Sequence, residues 1–227
     1  MSSSMSRVAP LLETLRIDCS DLNDGLSVEN GIDMFSGGTD RLRDVDLYHV
    51  PIPWSSRPLS GLEKIRITGI NMSPGPSSSE ITDVLRRCPK LRDFELAYHI
   101  EEVPALVATP SEVELAHLPF LTSFKLDLDN AKTFNGIILS VRIPTCAEFE
   151  LMCLQPISNI FSNETSHLTT VLVSAIQHVS QMSLRLSSSS LWLRGWPKLT
   201  NEDININLDH HSPWEGLARL MNAPAQQ

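Results

Sequence analysis

Side-chain catalysis needs a nucleophile with a base in reach, convergent acids and bases, or a metal held by three or four ligands. The chain has seven histidines and four cysteines among 227 residues, and these are the first places to look for such chemistry. Asp209-His210-His211 is the one tight histidine cluster. Adjacent residues on a strand point to opposite faces, so this pair does not converge on a zinc ion. The histidines at 49, 99, 117, 167 and 178 are scattered and keep no H-E-x-x-H spacing. Cys19, Cys88, Cys146 and Cys153 form no C-x-x-C pair, and each lies in or beside an apolar run. They read as reduced, buried thiols. Ser36-Gly37-Gly38-Thr39 lacks the lysine of a phosphate-cradling loop and precedes a strand pattern, so it reads as a stop followed by a strand start. No nucleophile elbow, Walker loop or dinucleotide fingerprint occurs. The expectation is a protein that is not an enzyme, with no catalytic residues, no metal site and no cofactor.

What remains is charge in a pattern. A template, apolar-x-x-apolar-x-apolar, begins at Leu12, Leu42, Leu62, Leu91 and Leu121, with weaker copies at Cys146 and Val179. The steps run from 20 to 33 residues, the spacing of stacked repeats. In a strand, the last two apolar positions face one side and the residue between them faces the other. The outward set therefore includes Arg16, Asp46, Tyr48, Arg66, Glu95, Lys125 and Glu150, which are the candidate partner-binding residues. Asp46 is expected beside Arg66, and Arg66 beside Glu95, as cross-strand pairs.

A half-buried strand cannot cover its own apolar face, so successive copies must stack into a parallel sheet joined by crossovers. Several gaps read as helices. Ser77-x-x-Glu80 is a capping box, followed by Ile81, Val84, Leu85 and Cys88 on one helical face, with Pro89 as the stop. Thr133 to Val141 and His167 to Val179 carry helical spacing, and Ser212-Pro213 reads as the start of a last short helix. Pro51, Pro53 and Pro58 exclude a regular helix between the second and third templates. The fold class expected is α/β, a solenoid with a curved parallel sheet and helical or irregular crossovers over residues 8–199. Residues 200–227 read as a C-terminal segment with a short helix and a frayed tail.

The template resembles the leucine-rich repeat. Four strings are similar to the C-terminal regions of fungal F-box proteins with degenerate leucine-rich repeats: Ala9-Pro10-Leu11-Leu12-Glu13-Thr14-Leu15, Phe35-Ser36-Gly37-Gly38-Thr39-Asp40-Arg41-Leu42-Arg43-Asp44-Val45-Asp46-Leu47-Tyr48, Pro53-Trp54-Ser55-Ser56 leading into Leu59-Ser60-Gly61-Leu62, and Leu85-Arg86-Arg87-Cys88-Pro89-Lys90-Leu91. The likeness extends from Val8 to Leu154. It implies a concave recognition surface, like the one that presents substrates to a cullin ubiquitin ligase. In that family an F-box docks on the ligase adaptor. No F-box is visible before the first repeat, so adaptor binding is expected only of a longer product that contains one. The repeats also lack an asparagine ladder, with Ser20, Val50, Ile70, His99 and Asp129 at the corresponding positions.

The bulk properties agree with a protein-interaction module. Acidic residues outnumber basic ones by 27 to 18, giving a net charge of −9 that repels a phosphate backbone unless the cations gather in one patch. Nucleic acid is therefore not an expected partner. No apolar run is long enough to span a bilayer, and the N-terminus has no signal-peptide core, so neither membrane insertion nor secretion is expected. The expected location is the cytoplasm or nucleus, and the expected partner is a protein bound on the sheet. Two other readings stay open from sequence: a truncated gene product without an independent role, and an enzyme of a class these motifs do not reveal.

Overall fold

Alternation becomes strand wherever a template is strong. β1 (Thr14–Asp18), β2 (Asp44–Tyr48), β3 (Lys64–Ile70), β4 (Asp93–Tyr98), β6 (Ser123–Leu128) and β8 (Glu148–Cys153) arise from the first six templates. The computed structural model describes residues 9–20, 38–50, 52–70, 76–98, 115–142, 148–155, 181–187, 190–196 and 205–208. Among these residues the six strands pair in parallel in the order β1-β2-β3-β4-β6-β8. Two short strands, β5 (Ala116–His117) and β7 (Val141–Arg142), form a separate parallel pair.

The register stacks like on like. Leu15, Val45, Ile65, Phe94, Phe124 and Phe149 form one inward row, and Ile17, Leu47, Ile67, Leu96, Leu126 and Leu151 form the next. From β2 onward every member of both rows is buried. The Phe94 and Phe124 rings stack with centroids 5.4 Å apart. A one-residue slip in any pair would place this apolar set opposite charges, which is why the register is strongly specified.

The same turn starts four of the strands. The amides of Leu12, Leu42, Leu91 and Leu121 donate to the carbonyls of Ala9, Thr39, Cys88 and Leu118, each three residues earlier. Pro10, Pro89 and Pro119 stand at the second turn position, where their fixed φ suits the bend. Each repeat is then tied to the one before it. Arg43 and Asp44 both donate to the Glu13 carbonyl, Glu63 and Lys64 to that of Arg43, Arg92 and Asp93 to that of Glu63, and Thr122 and Ser123 to that of Arg92.

The described crossovers pack on the inner face. α1 (Ser78–Arg87) begins with the capping box: the Ser77 hydroxyl accepts from the Glu80 amide, and the Glu80 carboxylate accepts from the Ser77 amide. Its buried Ile81, Val84 and Leu85 join the core, as do Phe134, Ile137 and Ile138 of α2 (Ala131–Ser140). Asn130 caps α2 by accepting from the Thr133 amide at 2.8 Å. The helices meet closely at Gly136, where a Cβ would lie 2.6 Å from that of Ser78. Between β2 and β3 the proline-rich segment has no helix, and buried Ile52, Trp54 and Leu59 fill the space instead. Arg87, at the end of α1, pins that segment by donating to the carbonyls of Trp54 at 2.5 Å, Ser56 at 3.1 Å and Ser55 at 3.5 Å.

Three expectations are corrected. The seventh template, in β9 (Gln181–Ser187), does not stack directly on β8; β10 (Ser190–Trp196) lies between them and runs antiparallel to both. Only residues 188 and 189 separate β9 from β10, and so short a link permits only an antiparallel hairpin. The sheet does not end at residue 199, because β11 (Asn205–Leu208) adds to β9 in parallel; among the described residues the sheet has nine strands and is not closed. Leu12, expected to be buried with the other leading leucines, is only partly buried; among the described residues its strand, β1, pairs with β2 alone. The helices expected over 167–179 and after Ser212-Pro213, and the frayed tail, lie outside the described residues. No helix among the described residues is long and apolar enough to cross a membrane.

Candidate functional site

The outward face of the sheet is organised by the same register. One row runs Arg16, Asp46, Arg66, Glu95, Lys125, Glu150, Arg194 across seven consecutive strands, alternating positive and negative at every step. Strands lie about 4.8 Å apart, so the row is about 29 Å long and like charges stand two strands apart. Six of the seven expected site residues, Arg16, Asp46, Arg66, Glu95, Lys125 and Glu150, lie in this one row.

Four of the six neighbouring couples in the row pair across the strands. Asp46 lies 3.7 Å from Arg16 and 3.9 Å from Arg66, whose Nε donates to Glu95 at 2.7 Å. The two pairs expected from sequence, Asp46 with Arg66 and Arg66 with Glu95, are therefore present. Farther along, Lys125 lies 3.8 Å from Glu148, and Arg194 reaches both Glu148 at 2.9 Å and Glu150 at 3.9 Å. Partly exposed pairs of this kind each contribute about 0.2–1 kcal/mol. Apart from the short Arg66–Glu95 and Arg194–Glu148 contacts, they are loose enough for an incoming group to compete.

Tyr48, the seventh expected residue, belongs to the next row with Asp18 and Thr68. Its exposed ring stacks on that of His49 at 4.4 Å. His49 adopts a left-handed backbone, φ 54°, while its amide donates to the Thr68 carbonyl at 3.0 Å. Gly69 makes room for it, since a Cβ there would lie 2.3 Å from the His49 ring. At the open end of the same row, the Ser20 amide donates to Asp18 at 3.0 Å and holds its carboxyl below the usual carboxylate range. Asp18 is therefore ionised throughout the neutral range.

Two contributors lie outside the seven templates. Arg194 extends the charge row, and Trp192 donates its Nε1–H to Glu150 at 3.1 Å. Both are on β10, whose Leu191-Trp192-Leu193-Arg194 carries the alternation but not the leading leucine. The alternation alone is the signal that finds them.

The face carries acids, bases and an amphipathic aromatic at fixed spacing, which suits it to hydrogen-bonded and ionic recognition. Cys88 and Cys153 are buried on the other side of the sheet, where desolvation pushes both thiols up, Cys153 to about 12. Cys19 is partly buried. Among the described residues no group of three or more histidine, cysteine or acidic side chains is placed to hold a metal ion. Cys146 and the Asp209-His210-His211 cluster lie outside the described residues. Comparison with family models, with curated proteins and with solved structures gives no match in any of the three.

Proposed function

We propose that this chain is a recognition module that binds another protein on the outward face of its sheet and acts without catalysis. The architecture we assign is a leucine-rich-repeat-like solenoid. The recurrence of one turn before β1, β2, β4 and β6, and of one pair of inter-repeat hydrogen bonds at β2, β3, β4 and β6, supports it. By resemblance, the function we assign is like that of the substrate-recognition region of an F-box ubiquitin-ligase subunit. Recruitment of the cullin-ligase adaptor belongs to an F-box and is assigned only to a longer product that carries one. The working location is the cytoplasm or nucleus.

The observation that carries the reading is the alternating charge row from Arg16 to Arg194, flanked by exposed Tyr48. A solvated face needs charge for solubility, but it does not need opposite signs in strict succession across seven strands. Ordered charges tune partner choice and association rate more than raw affinity. The test is affinity capture from a native extract with the wild type and the double reversal Arg66→Glu/Lys125→Glu, followed by association kinetics with a recovered partner. The double reversal should slow association and weaken its salt dependence. Equal recovery of the same partners at the same yield would reduce the row to a solvated face.

A further inference from the structure

The sign of the outward charge is set strand by strand. In the row from Arg16 to Arg194 every step to the next strand reverses it. From β2 to β8 the adjoining row repeats the pattern in phase: Asp44, Lys64, Asp93 and Glu148 each share the sign of the first-row residue on the same strand, with Ser123 neutral between the last two. β2, β3, β4 and β8 therefore each carry a two-residue stripe of one charge. All seven side chains of the first row stay 23–76% exposed. Nor is the row closed on itself: among the described residues Lys125 pairs with Glu148 of the adjoining row, and with neither Glu95 nor Glu150 beside it.

We infer that the partner lies across these strands as an α-helix whose charges alternate in sign every three to four residues. This rests on the recognition face assigned above and specifies the secondary structure and charge pattern that fit it. Six steps of about 4.8 Å make the row about 29 Å long. Along one side of a helix, charges placed at alternating steps of four and three residues rise about 5.3 Å each, or about 32 Å over six steps. Centred on the row, such a helix is out of step by only about 1.5 Å at either end, within the reach of a long side chain. An extended segment repeats on one side about every 6.7 Å and needs about 40 Å for the same six steps. Its ends fall more than one strand out of step, where each charge meets its own sign. A helix about 10 Å across also covers both rows, which stand about 6.7 Å apart along the strands, so the two act together.

The probe is a fluorescein-labelled peptide with blocked termini, three copies of Glu-Ala-Gln-Ala-Lys-Ala-Gln followed by Glu, titrated with the full chain by anisotropy at low ionic strength. Its charges alternate as the row requires, and because the row is positive at both ends, either direction of the helix fits. One control keeps the charged positions but gathers the glutamates at one end and the lysines at the other. A second replaces the alanine before the central lysine with proline, which breaks the helix. The alternating peptide should bind about tenfold more tightly than the gathered-charge control, in which four of the charges meet their own sign. The proline control should also bind more weakly. Arg66→Glu/Lys125→Glu should weaken the alternating peptide about threefold, since two pairs are reversed. Changing the two inner glutamates of the peptide to lysine should restore that loss. Those positions face Arg66 and Lys125 in either direction, so the rescue reports charge matching and not a change in the fold. Absence of binding at millimolar peptide overturns the proposal, as does equal binding of either control, failure of the rescue, or a wild-type dimer that excludes the peptide. If the double reversal loses partners from extract while the peptides show no preference, the helix is wrong and the face reading stands. If its capture is unchanged, the face reading falls and the helix with it.

Discussion

Arg86 and Arg87 end the same helix with the same charge, yet they are expected to differ in stability by a measurable amount. Arg86 makes an i,i+3 pair with Asp83 at 2.7 Å on the surface. Arg87 turns toward the helix-free crossover and donates to the carbonyls of Trp54, Ser56 and Ser55, more than 30 residues away in sequence. Both cations benefit from the negative end of α1, so that contribution cancels when the two are compared. A hydrogen bond from a charged donor contributes about 1.5–3 kcal/mol where its partner would otherwise be stranded. Trp54 is buried, Ser56 half-buried and Ser55 exposed, so only the first carbonyl counts in full and water replaces the donor at the last. Arg87→Ala should therefore cost about 2–4 kcal/mol and Arg86→Ala about 1 kcal/mol or less. Arg87→Lys should fall between them, because an ammonium cannot span the same carbonyls as a guanidinium fork. Urea denaturation followed by tryptophan fluorescence would show this as a fall in midpoint at constant slope. If Arg87→Ala and Arg86→Ala agree within about 0.5 kcal/mol, well inside the value of one such bond, the clamp contributes nothing.

Leu91→Ala should cost about 2–5 kcal/mol and Phe94→Ala about 3–5 kcal/mol in chemical denaturation, because both are fully buried in the middle of the sheet. A change under about 1 kcal/mol for both would contradict their place in the core. Ser77→Ala should lower stability by about 0.5–2 kcal/mol through loss of the capping box, with Ser77→Asp retaining most of it, as read by thermal melts. Gly69→Ala should destabilise through both its positive φ and the contact with His49. In a double-mutant cycle, His49→Ala should relieve the steric part, so additive costs would argue against that contact. Cys153 keeps its proton in the folded chain up to about 12, whereas an unfolded thiol loses it near 9. Between those values the unfolded state binds fewer protons, so stability is intact below about 9 and falls as pH rises toward 12. Denaturation midpoints from pH 8 to 11 should decline less steeply in Cys153→Ala than in the wild type.

Much of this architecture is local, and that part was legible in the sequence. In Leu42-Arg43-Asp44-Val45-Asp46-Leu47 the period of two states which side chains turn inward, whatever strand lies beside it. Ser77 and Glu80 start a helix through contacts three residues apart, and Pro89 stops it for a steric reason of its own. The pairing of Asp46 with Arg66 and of Arg66 with Glu95 also followed, because templates of equal length stacked in parallel have only one register that keeps every apolar row together.

Strand order at the far end of the sheet was decided elsewhere. β9 carries a recognisable template and β10 does not, yet β10 takes the place beside β8. Its Leu191 and Leu193 lie opposite Cys153 and Leu151, while Arg194 meets Glu148 and Glu150. A two-residue link makes the hairpin, but which arm docks on β8 depends on contacts more than 40 residues apart in sequence. Tertiary structure likewise set the partners of Arg87. Periodicity and capping arise from backbone geometry within a few residues, whereas neighbour choice is a competition among distant surfaces that exist only once the chain has folded.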